Sequence, residues 1–556
     1  MQSPSSSEGT IPVIESRKTS KDTLPDESSS NIDRDIEKAK DNNVVDQGDI
    51  DERQTKEEGN VIGWDGPDDP QNPQNWTKAK KYIATVLYAS MTFCITFASS
   101  VFSTATMVTA AEFGVSTEVM TLGTSLFVLG FAVGPIIWGP FSELYGRKPP
   151  LFIGFACFVI FNIPVAVAQN VETIMLCRFL GGLFGSSPLA IVGGALADIW
   201  GPVERGFALG LFSGATFIGP VAGPIAGGFI TKSYLGWRWT LWLTLIMGAF
   251  FGTLALVVIS ESYVPVLLSR KAAKIRFATK NWAIHAPHDE NRVDMNDIVE
   301  KYLFRPFKML LLEPILTLVT IYMSFIYGMI YLFFESYPIA FREDRGWNAG
   351  VGALPFLGIT LGVIVGVAII TYASNTRYKR KMEENGGRPV PEERLVPMIA
   401  GAFMLPIGLF WFAWTSSPHI KWVPQVLAGI PIGAGILMIF LQGLSYIIDV
   451  YLMYANSALA ANSVLRSTAG AGFPLFAVQM YHKLGVAWAT SLLGFLTVAF
   501  LPVPVLFFIY GERIRKMSRI IISIIMFGAT PAGSNIVRIR CCNVDVNQWS
   551  VDHLTA

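Results

Sequence analysis

Four charged side chains interrupt or end long apolar stretches, and these are the first places to look for chemistry. Arg178 lies near the start of the stretch 173–197 and Asp198 follows its end, while Glu335 and Asp449 follow the stretches 310–334 and 424–448. A charge at membrane depth is costly and is typically retained for ion pathways, proton relays or ligand contact. Exchange against protons needs a carboxylate whose proton affinity changes with access, and none of these acids lies at mid-depth. Two readings fit Arg178: a side chain that snorkels to the nearby boundary, or a cation facing a central cavity, where it sets the proton affinity of a neighbouring acid. Asp449 reads first as an ordinary interfacial charge. Asp198 is better placed, because it shares a side with a turn that carries Glu143 and Arg147.

That turn runs from Gly139 to Leu151 and places an acid four residues before an arginine, between glycines at 139 and 146. Such a turn can latch one conformer and release in another. A second pattern, Gly210, Gly219, Gly223, Pro224, Gly227 and Gly228, combines membrane-level hydrophobicity with glycines four apart. Residues at that spacing stack on one helix face and admit a neighbouring backbone. Pro220 and Pro224 each remove a donor, which lipid tolerates only where the protein satisfies the freed carbonyl. Phe325, Tyr327, Tyr331, Phe334, Glu335 and Gln442 are candidates for a substrate cavity, since aromatic faces suit flat or cationic apolar compounds. In membrane helices, aromatics also serve packing and interfacial belts.

The elements that must position these residues are spanning helices. Of 556 residues, 51% are hydrophobic and only 15% charged, and the mean hydropathy is +0.43, more apolar surface than a soluble core of this size would hide. At roughly 20 residues per crossing, spans are expected at 82–104, 119–140, 150–168, 173–197, 207–230, 239–259, 310–334, 350–372, 396–415, 424–448, 457–479 and 486–510. The fold class is therefore all-α membrane protein, twelve helices in two sets of six. The sets are 76–259 and 310–512, joined by a polar segment 260–309 with Arg270, Lys271, Lys274, Arg276, Lys280, Arg292, Lys301, Arg305 and Lys308.

With a cytoplasmic N-terminus, the inside connections hold Lys78, Lys80, Lys81, Arg147, Lys148, the central segment, the run from Arg377 to Lys381, Arg388, Arg394 and the run from Arg513 to Arg519. The outside ones hold Lys232, Arg238, Arg342, Arg345 and Lys421. The positive-inside rule puts both termini in the cytoplasm. Residues 1–75, rich in Ser, Asp, Glu, Lys and Asn, are expected to be a disordered tail. Residues 513–556 form a second cytoplasmic tail, interfacial or disordered beyond Arg519. The cysteines, three of them single and Cys541 and Cys542 adjacent, indicate neither a disulfide framework nor a metal site. Asn75, Trp76 and Thr77 satisfy the glycosylation pattern, on the side expected to escape modification.

The turn resembles the signature loop of the major facilitator superfamily, Gly-x-x-x-Asp-x-x-Gly-Arg-(Arg/Lys), with Glu143 in the acidic position. It departs in having Leu144 where many members place an arginine. The run from Arg178 to Gly182 resembles the Arg-x-x-x-Gly motif of proton-driven members, and the pattern from Gly210 to Gly228 matches the antiporter motif at every fixed position. Further elements look like the fungal multidrug and polyamine proton antiporters: Asn72 to Trp76, Arg305 to Phe307, Glu313 to Ile315, Tyr327 to Pro338, Asn462 to Arg466, Phe473 to Phe476 and Tyr510 to Arg515. This resemblance covers roughly 62–519. It implies a major facilitator fold, a small-molecule substrate moved against protons, with the proton gradient as driving force and no cofactor, and a monomer in the plasma membrane, the vacuolar membrane being the alternative. In that reading Arg178, Asp198, Glu143 and Arg147 serve proton coupling and gating.

The leading expectation is efflux of a drug, toxin or secondary metabolite by alternating access. Proton-coupled nutrient uptake and a non-transporting membrane sensor stay open beside it. The chain carries no Gly-x4-Gly-Lys-(Ser/Thr) loop for ATP, no constellation with catalytic spacing, and a balanced charge that gives no case for nucleic acid.

Overall fold

The computed structural model describes residues 60–201, 204–287, 289, 299–387, 390–451 and 454–517. Among these, eleven helical runs are long and apolar enough to cross a bilayer: α1 (Lys78–Phe113), α2 (Thr117–Leu144), α3 (Lys148–Ala166), α4 (Val171–Ile199), α5 (Arg205–Lys232), α6 (Arg238–Val258), α7 (Pro314–Glu343), α8 (Val351–Glu384), α9 (Pro391–Trp414), α10 (Trp422–Tyr451) and a final run, Ala455–Arg515. That run of 61 residues would reach roughly 90 Å as one straight helix, about three hydrocarbon thicknesses. It is broken at Gly485, whose φ of 74° and ψ of 159° are open essentially to glycine alone. The break divides it into α11 (455–484) and α12 (486–515), giving the twelve crossings expected from the sequence.

Local chemistry sets the helix starts. Thr77, Ser116 and Asn170 cap α1, α2 and α4, each side-chain oxygen accepting a backbone N–H of the first turn. Glu313, which precedes Pro314, is held extended at φ −108° and ψ 100°. The seventh crossing therefore starts at Pro314 rather than 310, and the preceding Arg305–Leu312 forms a separate short helix. At its other end α7 runs on to Glu343. Glu335 thus sits about two helical turns inside the helix and not at its end, because the apolar pattern stops before the hydrogen bonding does.

α1, α7 and α10 are the most enclosed helices, and α6 turns mostly outward. Outward apolar side chains such as Ile153, Phe250, Val257, Ile407 and Phe495 form the lipid-facing surface. One membrane face carries Arg147, Lys148, Arg377 and Arg394 and is called the basic face below.

The expected N-terminal tail needs correction. Residues 60–75 are ordered, not a tail: the segment lies against the helix Val264–Thr279 of the central connection. Ile62 donates its N–H to His285 O at 2.9 Å, and His285 returns one to Asn60 O at 3.0 Å. Lys271 reaches Asp65 at 2.7 Å and Asp69 at 3.2 Å. Ile62, Leu268, Ala272, Ile275, Ile284 and Ala286 bury a small apolar core beneath this strap. The ordering follows from that buried patch, which the surrounding charge conceals in the sequence. Residues 1–59 and 518–556, Arg292 and Arg388 lie outside the described residues.

Candidate functional site: a closed centre between two latches

On the basic face, the turn between α2 and α3 is organised by an acid that sequence reasoning passed over. Glu261, just after α6, accepts the backbone N–H groups of Arg147 (2.9 Å), Lys148 (3.1 Å), Ser262 (2.9 Å) and Tyr263 (3.0 Å). Gly146 has φ +91°, and a Cβ there would meet the Glu261 carboxylate, so both backbone and space require glycine. The only sequence signal was an acid at the edge of a basic segment.

With its backbone so held, Arg147 directs Nε to Asp198 at 3.0 Å and Nη1 to Ser142 Oγ at 3.0 Å. Its guanidinium lies 4.6 Å from the Tyr263 ring centre and covers Gly194, where a Cβ would clash. Burial pushes the Tyr263 hydroxyl above its ordinary value, helped by Glu143 and Asp198 and opposed by Arg147, so it stays protonated. Glu143 reaches across to the other half, where Asn456 at the start of α11 donates its side-chain amide to it. The second half repeats the arrangement: Arg394 Nε meets Asp449 at 3.0 Å, and Tyr378 donates its hydroxyl to the same carboxylate at 3.1 Å. Asp449 is therefore a paired counterpart of Asp198 rather than a lone interfacial charge.

Arg178 does not snorkel. It is 1% exposed, with Nε on Gly123 O (2.9 Å), Nη1 on Ala98 O (2.8 Å) and Nη2 on Ser99 O (3.3 Å). Phe127 and Phe102 flank the guanidinium at 4.3 and 5.0 Å. Carbonyls and rings, not a carboxylate, hold it between α1, α2 and α4.

The glycine pattern of α5 serves two faces. Cβ atoms at Gly219, Gly223 and Gly227 would collide with Thr96, Ser100 and Thr104 of α1 and come within 3.0 Å of its backbone. These three form the seam inside the first half. Gly210 faces Val367 of α8 at 3.9 Å, and Gly228 lies against Ala349, so those two face the second half. Pro224 is buried within the unbroken helix.

Between the basic-face latch and the closure of α5 on the start of α8 at the opposite face, the halves touch at mid-depth. Ser99 and Tyr331 share a hydrogen bond of 3.1 Å, Tyr331 continues to Tyr327 at 3.3 Å, and the rings of Phe217 and Phe440 meet edge to face at 4.8 Å. Phe334 lines a central void with Phe217, Val221, Phe333 and Phe356 that has room for no more than about one water. Phe325 turns away from it and packs on Phe473 and Phe500 within the second half. Gln442 is buried with its Oε1 unpartnered. Glu335 is partly buried, with no ion pair or side-chain hydrogen bond among the described residues. On the face opposite the basic one, Gly228 and Gly350 let the end of α5 close on the start of α8. The centre is thus shut on both sides.

A family model for the Major Facilitator Superfamily matches residues 88–474. The chain belongs to that superfamily. It is 59% identical over 460 residues to a citrinin biosynthesis cluster MFS transporter of Monascus ruber, covering 83% of this chain and 92% of the relative. It is 55% identical over 460 residues to an ascochitine biosynthesis cluster MFS transporter of Didymella fabae, covering 83% and 89%. Among solved structures, the proton:xylose symporter XylE has the same fold with a TM-score of 0.54 at 15% identity, covering 77% of this chain and 96% of that one. As a member of the superfamily, the chain is a multi-pass transporter of a small molecule and not an enzyme. Its two latches and closed centre are the parts that bear on how transport proceeds.

Proposed function

We propose that this protein exports a small secondary metabolite from the cytoplasm in exchange for protons. The observation that carries the proposal is a closed centre bracketed by contacts between the halves on both faces. A carrier that alternates access must pass through such an arrangement and open one side at a time. The relatives named for citrinin and ascochitine clusters support a secondary metabolite as cargo. The antiporter pattern on α5 and the resemblance to fungal proton antiporters support exchange over uptake. By the positive-inside rule the basic face is cytoplasmic, and the resemblance to fungal proton antiporters supports the plasma membrane.

In this reading Glu261 and Gly146 shape the cytoplasmic turn, Arg147 and Asp198 lock it to α4, and Glu143 with Asn456 ties it to the second half. Arg178 is a clamp that keeps α1, α2 and α4 together while the halves rock. Glu335, an acid in a spanning helix with no cation beside it among the described residues, is the group that takes up and releases the proton. The protein works as a monomer, since the cavity lies within one chain.

Reconstitution into liposomes with an imposed pH gradient tests the proposal. Movement of citrinin, the metabolite named for one relative's cluster, against inward proton flow is the expected result. Binding without gradient-driven movement would leave a sensor, and movement in the same direction as protons would leave an uptake carrier.

A further inference from the structure

Two arginines near the centre, Arg178 buried and Arg466 half-buried, are treated differently by the chain. Arg178 has an acceptor on each of its three nitrogens. Arg466 of α11 has one side-chain hydrogen bond, from Nη2 to Ser463 Oγ at 3.3 Å, one turn back on its own helix. Its Nε is buried without an acceptor. No carboxylate pairs with it among the described residues, and the groups that act on it electrostatically are Tyr327 and Tyr331.

The guanidinium lies instead beside rings, 4.9 Å from the centre of Phe440 and 5.2 Å from that of Tyr327. Phe440 packs on Phe217, which lines the central void. Unsatisfied polar atoms recur on the same two helices: Asn462 Oδ1, one turn before Arg466, Ser467 Oγ beside it, and Gln442 Oε1, two residues from Phe440 on α10. A guanidinium half withdrawn from water, with its Nε buried and lacking an acceptor, is costly to keep. Its planar fork matches a carboxylate through two parallel bonds, and ring faces around it favour a flat conjugated partner.

We propose that the cargo supplies the missing anion: the substrate is a flat, conjugated organic acid bound as its anion, with the acidic group on Arg466 and the ring system against Phe217, Phe440 and Tyr327. This deepens the export reading and rests on it only for the statement that the ligand is cargo. A cationic compound would meet an uncompensated guanidinium at that wall, and a small hydrated anion would gain nothing from the rings.

The test uses the full chain in lipid nanodiscs with three matched probes, 2-naphthoate, 2-naphthamide and 2-naphthylmethylammonium, titrated by calorimetry at pH 7. Naphthoate is expected to bind at least about tenfold more tightly than the amide, the scale of a charge-assisted hydrogen-bonded pair. Arg466→Gln should bring naphthoate to the level of the amide while leaving the amide within about twofold, which also shows that the variant is folded. Arg466→Lys should keep part of the preference, having charge without the fork. An unchanged naphthoate-to-amide ratio in Arg466→Gln, tightest binding of the ammonium, no naphthoate binding at millimolar concentration, or displacement of naphthoate by phosphate would each overturn the proposal. The titration needs no gradient. Retained Arg466-dependent discrimination without proton-driven flux would therefore sink the export reading alone, and flux without discrimination would sink this one alone.

Discussion

Tyr331 of the second half and Ser99 of the first share a hydrogen bond of 3.1 Å in the middle of the molecule, and the carbonyl of that same Ser99 accepts from Arg178. A residue clamped to the first half thus holds the second. Any rocking of the halves breaks this bond while leaving the Arg178 contacts whole. Tyr331→Phe should remove it at a cost of about 1 kcal/mol to the closed state, or about a fivefold shift in population. Distance measurements between spin labels on the two halves should show that shift, with thermal stability little changed.

Gly223 offers a sharper test of the α5 seam. A Cβ there would meet Ser100 Oγ and lie 2.8 Å from Val101 N and 3.0 Å from Phe97 O. Backbone cannot yield as a flexible side chain can, so Gly223→Leu should overpack the seam by about 1–3 kcal/mol. The expected outcome is transport strongly reduced in protein that still reaches the membrane, with a lowered Tm. Gly214→Ala is the control: its Cβ meets only Val367, at an ordinary 3.7 Å. Full transport by Gly223→Leu would reduce the glycine spacing to composition.

Asp198→Asn should weaken the basic-face latch without dissolving the turn, because Glu261 still holds the backbone of Arg147. Losing a charge-assisted partner of Arg147 costs about 1.5–3 kcal/mol, and the loss falls on conformers in which this face is closed. Cysteine accessibility on the basic face should rise and transport should slow. An unchanged rate and unchanged accessibility would remove Asp198 from the gate.

The twelve crossings were legible because length and hydropathy are local properties. The Arg147 turn and the α5 glycines were legible because a fixed spacing along a chain becomes a fixed face on a helix. What stayed hidden depends on which helices meet. Nothing local separates Glu261 from its basic neighbours, and Asn456 becomes a partner of Glu143 only when α11 packs against α2. Arg178 looked able to snorkel because its depth was readable and its direction was not. Phe325 and Phe334 sit on one helix, yet only the packing of α11 and α12 shows that the first turns from the void.

The strap over the central connection carries a pH dependence with a definite sign. Backbone N–H bonds from Gln71 and Asp65, with Lys271 adding to them, hold the Asp69 carboxyl below its ordinary 3.8. Stability from Asp69 is therefore present above that value and lost as pH falls through the lower folded value. Burial alone would lower Lys271, but hydrogen bonds and charge from Asp65 and Asp69 outweigh it and leave the amine above its ordinary 10.5. Its contribution is full below 10.5 and is lost as pH rises through the raised value. The protection of amides 60–76, taken as intrinsic over observed exchange rate at each pH, should stay high across neutral pH and fall at both extremes. Asp69→Asn should lower it at pH 7, and unchanged protection would detach the strap from this pair.

In the proposed exchange, Glu335 is the residue that separates proton coupling from substrate movement. It stands about two turns inside α7 with no cation among the described residues to hold it charged. Its neighbours on the helix include Tyr331, one turn back, which bonds to Ser99 of the first half. A carboxyl so placed can carry a proton between the two access states, and glutamine keeps its shape while removing that capacity. Glu335→Gln should abolish accumulation driven by a pH gradient, yet preserve exchange of labelled for unlabelled substrate at equal pH, since that exchange needs no net proton movement. A structural role would predict loss of both. If gradient-driven transport survived at its normal rate, the proton would have to travel by another group, and the unpaired acid of α7 would be left without a part in coupling.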